Sequence, residues 1–260
     1  MKQPSFHGAA LAATGFSAVP RDGAQTGGVP RDFPAGFFDR ADPAPDGEFY
    51  VPLRLVTHID DAAVAAVTAL YAELGIGAGS RVLDLMSSWV SHLPEPPAEL
   101  VALGMNGAEL DANPVATTRL VHDLNTEPVL PLPDGRFDAV TCCVSVDYLV
   151  RPVEVLAEAA RVLVPGGVVV LTFSNRCFPT KAVRGWLATD DVGRGAIVAA
   201  YLRAAGGFTA PVVSLRTPPG RGDPLYAVVA RRGLLGPQTL DTPDDWSGPR
   251  ASDEPERGWT

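Results

Sequence analysis

The side chains in this sequence that could do chemistry follow short apolar runs. Asp84 lies inside one such run, while Asn106 and Asp123 follow the next two. A charge in an apolar strand must be paired or hydrogen-bonded, so we expect Asp84 either to orient the loop after it or to cap the next turn. Asn106 could contact the ribose of a nucleoside or cap a helix. Asp123, together with the backbone N–H of Leu124, could bind an adenine edge or form an Asx-turn.

A second group of polar side chains follows the fourth and fifth apolar runs. Asp147 and Tyr148 come after the fourth run, and the polar, aromatic and cationic segment 174–181 comes after the fifth. Guanidinium and ammonium groups bind carboxylates and phosphates, so this segment could contact a substrate. The alternative is an ordinary connecting loop. The substrate candidates in this segment are Asn175, Arg176 and Lys181.

Two further candidates lie nearer the N-terminus. Tyr50 could form part of a substrate wall, and His58 could serve as a general base because histidine titrates near neutral pH. The alternative for His58 is a capping or packed histidine. The adjacent Cys142 and Cys143 are expected to pack as small hydrophobic side chains in a strand.

These side chains require a sheet that brings the ends of the apolar runs together. The runs are rich in β-branched residues, which is typical of strands covered on both faces. They span residues 81–86, 101–105, 119–122, 137–144, 168–173, 212–216 and 226–230. A loop with three prolines and two glycines joins the last two runs, which predicts an antiparallel hairpin. The sequence therefore predicts an α/β fold with a seven-stranded, mostly parallel sheet, one antiparallel strand and helices on both faces.

Helices are predicted where apolar residues recur at helical spacing. The clearest segments are 62–74, 152–163 and 192–205. Thr57, followed three residues later by Asp60, resembles a capping box and predicts that the first of these helices is capped at Thr57.

The two ends of the chain differ in composition from its middle. The 26 glycines and 25 prolines are enriched in both ends, and the net charge is −9. We predict an extended N-terminal arm over residues 1–48, one domain over 49–235 and a disordered acidic tail over 236–260. The aromatic residues of the arm, which could pack on the core, are Phe33, Phe37 and Phe38.

Several classes of protein are disfavoured by the same composition. The chain has no basic block, so we expect no nucleic-acid partner. It has no apolar run of membrane-spanning length, so we expect no membrane partner. Its three cysteines lack metal-ligand spacing, which predicts neither a disulfide framework nor a metal site and is consistent with a cytoplasmic location. The oligomeric state stays open.

Two motifs resemble those of the class I S-adenosylmethionine-dependent methyltransferases, in particular the type 11 branch. They are Leu-Pro-Asp-Gly-Arg-Phe-Asp at 132–138 and Arg-Val-Leu-Val-Pro-Gly-Gly at 161–167. In that family the first leads into the fourth strand, and the second connects the fourth helix to the fifth strand. The resemblance covers approximately residues 57–232 and implies a Rossmann-like class I methyltransferase fold.

The segment after the first strand departs from the family pattern. The family has Asp-x-Gly-x-Gly-x-Gly there, whereas this chain has Asp-Leu-Met-Ser-Ser-Trp-Val at 84–90. Glycine lets the backbone approach a ligand without a Cβ, and the two serines add only small side chains that could still line a site. Three prolines within 94–97 stand where the first crossover helix belongs, so we expect that helix to be short, shifted or missing.

The resemblance implies S-adenosylmethionine as cofactor and methyl transfer to a small-molecule acceptor by in-line displacement. Two alternatives stay open: a protein of this fold that binds the cofactor without methyl transfer, as a regulatory or assembly partner or in a reaction such as cyclisation, and a nicotinamide-dependent oxidoreductase. The catalytic candidates are His58, Asp147 and Tyr148, and the substrate candidates are Tyr50, Asn175, Arg176 and Lys181. The cofactor candidates are Asp84, Met86, Ser87, Ser88, Asn106, Asp123, Leu124 and Cys143.

Overall fold

Residues 33–234 are described by a computed structural model, and seven strands within them form one sheet. The strands are β1 (Arg81–Leu85), β2 (Glu99–Gly104), β3 (Thr118–Val121), β4 (Phe137–Cys143), β5 (Leu163–Phe173), β6 (Val212–Leu215) and β7 (Tyr226–Arg231). Their order is β3-β2-β1-β4-β5-β7-β6. β7 is antiparallel to both β5 and β6, and the other neighbouring pairs are parallel. The predicted fold class and the closing hairpin are confirmed.

Six α-helices accompany the sheet in the described residues. They are α1 (Asp46–Phe49), α2 (Asp61–Glu73), α3 (Gly107–Asp111), α4 (Pro152–Val162), α5 (Arg184–Leu187) and α6 (Asp191–Ala205). None of these helices combines the length and apolar character needed to cross a membrane.

The start of α2 lies later than predicted. Asp60 is the N-cap, and its carboxylate accepts the backbone N–H of Ala63 at 2.9 Å. The prediction of a cap at Thr57 is wrong, because the side chain that reaches the free N–H groups of the first turn belongs to the later aspartate.

The helices cover the two faces of the sheet with separate hydrophobic clusters. On one face, α4, α5 and α6 contribute side chains such as Val155, Trp186 and Val198. On the other face, α2 and α3 contribute side chains such as Val67 and Leu110. The strands are buried between these clusters, which is why they appear in the sequence as near-continuous apolar runs.

Two connections reflect the prolines and glycines noted in the sequence. Residues 86–98, between β1 and β2, contain no helix, which confirms that the first crossover helix is missing. The Pro-Gly-Gly segment at 165–167 lies inside β5, which begins directly after α4. Gly166 has φ +78° there, and the register of β5 against β4 shifts nearby. The positive φ explains the need for glycine.

The described part of the predicted arm packs on the domain. Phe33 and Phe38 contact the ring of Tyr201 with centroids 5.2 and 6.0 Å apart. The Phe37 ring is tilted against Phe33 at 5.1 Å and meets Phe38 edge-on at 5.0 Å. The predicted packing of these aromatic residues is confirmed. Residues 1–32 of the predicted arm and the predicted tail lie outside the described residues.

Candidate functional site

A cavity of about 280 Å³ lies at the carboxyl end of the parallel strands. Its walls come from the loops after β1 to β5 and from residues 40–58, called the strap below, which cross this end of the sheet. Parallel α/β sheets bind their ligands at this edge. The lining residues are Asp46, Tyr50, Arg54, His58, Met86, Ser87, Ser88, Leu103, Met105, Asn106, Glu109, His122, Asp123, Leu124, Asn125, Val144, Ser145, Tyr148, Leu149, Arg176, Cys177 and Phe178.

Asp84 is buried in β1 and fixes the loop that follows. Its carboxylate accepts hydrogen bonds from the hydroxyls of Ser87, Ser91 and Thr141, each at 2.7 Å. Burial raises the pKa of Asp84, although these three hydroxyls oppose the shift. Asp84 does not line the cavity. Its position therefore supports the expectation that it orients the loop, and excludes the predicted direct contact with a cofactor.

The loop after β1 lies directly against β2. Met86 has φ +54°, in the left-handed region that glycine adopts most readily. The Ser87 N–H donates to the carbonyl oxygen of Leu103 at 2.8 Å. A Cβ on Gly104 would lie 2.1 Å from the Ser87 carbonyl oxygen, so this close approach requires glycine. Two features thus take the place of the glycines that the family has in this loop: the left-handed backbone of Met86 and Gly104 on β2.

Asn106 caps α3 and also anchors the strap. Its Oδ1 accepts the N–H groups of Ala108 and Glu109, and its Nδ2 donates to the carbonyl oxygens of Tyr50 and Val51. These four bonds use both lone pairs and both N–H groups of the amide. Asn106 lines the cavity and confirms the helix-cap alternative, and a ribose contact would require it to give up one of these four bonds.

Glu109 is a cavity carboxylate that the sequence analysis did not identify. It is buried, its Oε2 accepts the Ser88 hydroxyl at 2.7 Å, and its Oε1 accepts the Arg54 backbone N–H at 2.7 Å. It stands three residues beyond Asn106, so one helical turn places both residues on the same side of α3. That spacing is the signal that could have identified it.

Asp123 forms the Asx-turn considered from the sequence and also lines the cavity. Its Oδ1 accepts the Asn125 N–H at 2.9 Å, and its Oδ2 accepts the Thr126 hydroxyl at 2.6 Å. The N–H of the next residue, Leu124, has no hydrogen-bond partner among residues 33–234. A carboxylate with spare lone pairs beside a free N–H is the pair that an adenine edge requires.

Lys181 holds the strap and does not line the cavity. It is fully buried, and its Nζ donates to the Ala44 carbonyl oxygen at 2.8 Å. The same Nζ lies 3.0 Å from the carboxylate of Asp42 and 3.3 Å from that of Asp46. Burial would raise the pKa of Asp46, but hydrogen bonds from Arg40 and other neighbours bring it below its usual value. The predicted substrate contact of Lys181 is wrong, because its three partners all belong to the strap.

Aromatic and basic side chains form the cavity wall between the strap and the loop after β5. The His58 ring meets the Phe178 ring edge-on at 5.3 Å, and burial lowers the pKa of His58. The imidazole is therefore neutral at pH 7 and can accept a proton. Tyr50 lines the same wall. The guanidinium of Arg176 lines it as well, and its Nε donates to Asp223 at 2.8 Å.

Tyr148 and Asp147 lie in a 3₁₀ turn, Val146–Tyr148, after β4, and only Tyr148 reaches the cavity. The Tyr148 hydroxyl accepts the N–H of Phe178 at 2.9 Å, and burial raises its pKa. Asp147 is buried, and burial raises its pKa to about 7. Its Oδ2 has no hydrogen-bond partner within the described part of the chain. Asp147 cannot contact a bound molecule from this position, which corrects its predicted catalytic role.

Two more predicted contacts lie away from the cavity. Asn175 is exposed and lies outside the cavity lining, directly before the lining residue Arg176, so its predicted substrate contact stays a prediction. Cys143 packs against the hydrophobic cluster of α2 and α3, where burial raises its pKa to about 12. This position does not support its predicted cofactor contact, and the next two residues of the chain, Val144 and Ser145, line the cavity in its place.

Comparisons with known proteins agree with this architecture. A family model described as a methyltransferase domain matches residues 73–171. No curated protein matches the sequence. Among solved structures, a S-adenosylmethionine-dependent methyltransferase from Mesorhizobium loti is 19% identical, with 63% of this chain and 96% of that chain covered and a TM-score of 0.45.

Two other solved structures are similar to the same extent. A S-adenosylmethionine-dependent methyltransferase from Aquifex aeolicus is 17% identical, with 67% of this chain and 91% of that chain covered and a TM-score of 0.46. The [4+2]-cyclase SpnF is 16% identical, with 71% of this chain and 90% of that chain covered and a TM-score of 0.47.

The strand order and the family match agree with the fold that the sequence motifs imply. The chain has the Rossmann-like class I methyltransferase fold, and its residues 73–171 match the methyltransferase domain model of the family that the sequence motifs resemble.

Proposed function

We propose that this protein is a S-adenosylmethionine-dependent methyltransferase that acts on a small-molecule acceptor by in-line displacement at the methyl group. The observation that carries the proposal is the packing of the loop after β1 against Gly104. This packing keeps Met86, Ser87 and Ser88 in the cavity wall although the loop has no glycine. The cofactor, when bound, supplies a methyl group on a sulfonium, which is an activated leaving group.

The residues around the cavity fit such a cofactor. Asp123 and the free N–H of Leu124 would hold the adenine edge. Glu109 would take the place of the acidic residue that binds the ribose in the family, since a ribose contact would require Asn106 to give up one of its four bonds. The apolar side chains of Leu103 and Leu124 provide surface for the flat base.

The catalytic requirement is mainly alignment, because the leaving group is already activated. His58 is the candidate base: it lines the cavity, and its lowered pKa keeps the imidazole neutral. The Tyr148 phenol is protonated at neutral pH, as tyrosine ordinarily is, and burial raises its pKa further, so its hydroxyl can donate a hydrogen bond to an acceptor.

Titration with S-adenosylhomocysteine tests the cofactor site. We expect saturable binding by isothermal titration calorimetry, and Asp123→Asn should weaken it about tenfold, since a bond to a charged group contributes about 1.5–3 kcal/mol. Asparagine also supports an Asx-turn, so the loop is expected to persist. The control is Asp111→Asn, which removes an exposed carboxylate outside the cavity.

Methyl turnover tests the reaction itself. Protein incubated with S-adenosylmethionine bearing a labelled methyl group and with pools of small molecules should yield a labelled product. The absence of saturable binding at millimolar S-adenosylhomocysteine would refute the cofactor. Binding without any labelled product across the pools would favour cofactor binding without methyl transfer.

A further inference from the structure

Arg54 is a cation of the strap that the sequence reasoning did not single out. Its guanidinium carbon lies 4.8 Å from the ring centroid of Phe49, 5.9 Å from that of Tyr50 and 5.7 Å from that of Phe178. The side chain lines the cavity. Three aromatic rings from the strap and from the loop after β5 therefore fix the position of one planar cation in the cavity wall.

This guanidinium has no acidic partner among residues 33–234. Its Nη1 donates to the Pro52 carbonyl oxygen at 3.2 Å and its Nη2 to the Phe49 carbonyl oxygen at 2.9 Å. Glu109 accepts the backbone N–H of Arg54 and not the guanidinium. Because a guanidinium carries about five N–H donors, several of them stay available.

The neighbouring cations are already paired within the protein. Arg176 is paired with Asp223, and Arg40 and Lys181 are paired with Asp46. Arg54 is thus the cavity-lining guanidinium with an uncompensated charge in the described part of the chain. A rigid planar cation with free donors is suited to bidentate binding of a carboxylate or phosphate.

We propose that Arg54 forms an oxyanion subsite in the cavity wall, and that the methyl acceptor carries a carboxylate or phosphate group bound by this guanidinium. The rings of Tyr50 and Phe178 would contact the apolar part of the same molecule. The proposal rests on the proposed function, because it names the chemical class of the acceptor.

The test compares small anionic and neutral probes of similar shape. Benzoate, phenyl phosphate and benzyl alcohol are titrated into the protein saturated with S-adenosylhomocysteine, and their affinities are measured by ligand-observed NMR. We expect at least one anion to bind roughly tenfold more tightly than benzyl alcohol, and the stronger of the two anions shows which oxyanion the subsite prefers.

Substitutions test whether Arg54 causes the preference for anionic probes. Arg54→Gln should abolish the preference for the anion, while Arg151→Gln should retain it, since Arg151 is exposed, pairs with Glu154 and lies outside the cavity. Thermal melting reports whether each variant is folded. If Arg54→Gln does not fold, Arg54→Lys replaces it and should reduce the preference at least threefold, because a lysine ammonium lacks the planar fork.

Two results would overturn the proposed oxyanion subsite. Equal affinity of the wild-type protein for benzoate, phenyl phosphate and benzyl alcohol would overturn the proposal, as would an anion preference that persists in the Arg54 variants. If S-adenosylhomocysteine does not bind, the proposed function fails. The probe titration without it then still shows whether Arg54 binds oxyanions.

Discussion

Replacing Gly104 with alanine should displace the loop that lines the cavity. In the structure, the added Cβ would lie 2.1 Å from the Ser87 carbonyl oxygen and 3.2 Å from a methyl group of Leu110. Heavy atoms in contact are about 3.5 Å apart, so the Ser87 oxygen must retreat by more than about 1 Å. The new Cβ is attached to the backbone of β2, and the Ser87 oxygen belongs to the backbone of the loop. A change of side-chain rotamer therefore cannot relieve the overlap.

The loss of stability in Gly104→Ala can be estimated from the contacts that this movement disturbs. Overpacking at a tight contact costs about 1–3 kcal/mol, and loss of the Ser87 N–H bond to Leu103 costs about 1 kcal/mol more. We expect Gly104→Ala to lower the free energy of unfolding by about 3 kcal/mol. For a domain of this size that corresponds to a fall in melting temperature of roughly 6–12 °C. Affinity for S-adenosylhomocysteine should fall in parallel, because Ser87 and its neighbours line the cavity.

Gly107→Ala is the matched control. A Cβ there would meet only a methyl group of Val121 at 3.4 Å, which is close to ordinary contact, and alanine favours the helix that Gly107 begins. Differential scanning fluorimetry and calorimetric titration with S-adenosylhomocysteine are run on both variants. If Gly104→Ala melts and binds like Gly107→Ala, the proposed role of Gly104 in admitting the loop is refuted.

Three further predictions concern stability. Lys181→Met should lower the free energy of unfolding by about 2 kcal/mol, because it removes the cation beside the partly exposed carboxylate of Asp42 and one of the two cations beside the buried carboxylate of Asp46. Limited proteolysis should then cleave the strap faster. Asp147→Asn should remove a decline in stability between about pH 4 and 7. The raised pKa of about 7 means that the folded state disfavours the ionised carboxylate, so the free energy of unfolding of the wild-type protein falls as pH rises through this window. The fall amounts to about 1.4 kcal/mol per unit of pKa shift. Urea titrations of both proteins at pH 5 and pH 8 measure it. Gly185→Ala should reduce the melting temperature, because its Cβ would overlap the Phe37 ring, whereas Gly47→Ala, which meets nothing within 4 Å, should leave it unchanged.

The strands were predictable because burial on both faces makes each of them a near-continuous apolar run in the sequence. Their order in the sheet was not predicted, because the apolar runs do not determine which strands are neighbours. In every parallel strand except the edge strand β3 most residues are buried, so most of them are apolar whatever ligand the site binds. The same physics explains why a charge such as Asp84 stands out within a run. Its three hydroxyl partners come from both the adjacent loop and β4, and only the Ser87 and Ser91 partners are close in sequence.

Side-chain roles were less predictable because polar groups can be satisfied by distant parts of the chain. Lys181 is a cation in a polar loop, as a substrate contact could be, but its hydrogen-bond partner Ala44 is 137 residues away in the sequence. Asn106 has the position of a ribose contact, but its amide is bound by a segment 55 and 56 residues earlier. Both long-range partners belong to the strap, whose sequence shows no regular period. The placement of the strap over the sheet edge was therefore the missing information.

The altered loop shows that two physical roles of glycine can be served by different residues. One role is a left-handed backbone, which Met86 adopts at φ +54° while the hydroxyls bound to Asp84 hold the adjacent turn. The other is close approach, which Gly104 provides from the neighbouring strand. Since neither role requires glycine within the loop itself, the absence of the family pattern does not argue against a cofactor at this edge. The close approach of the Ser87 carbonyl oxygen to Gly104 is what lets the loop lie in the cavity wall without a glycine of its own.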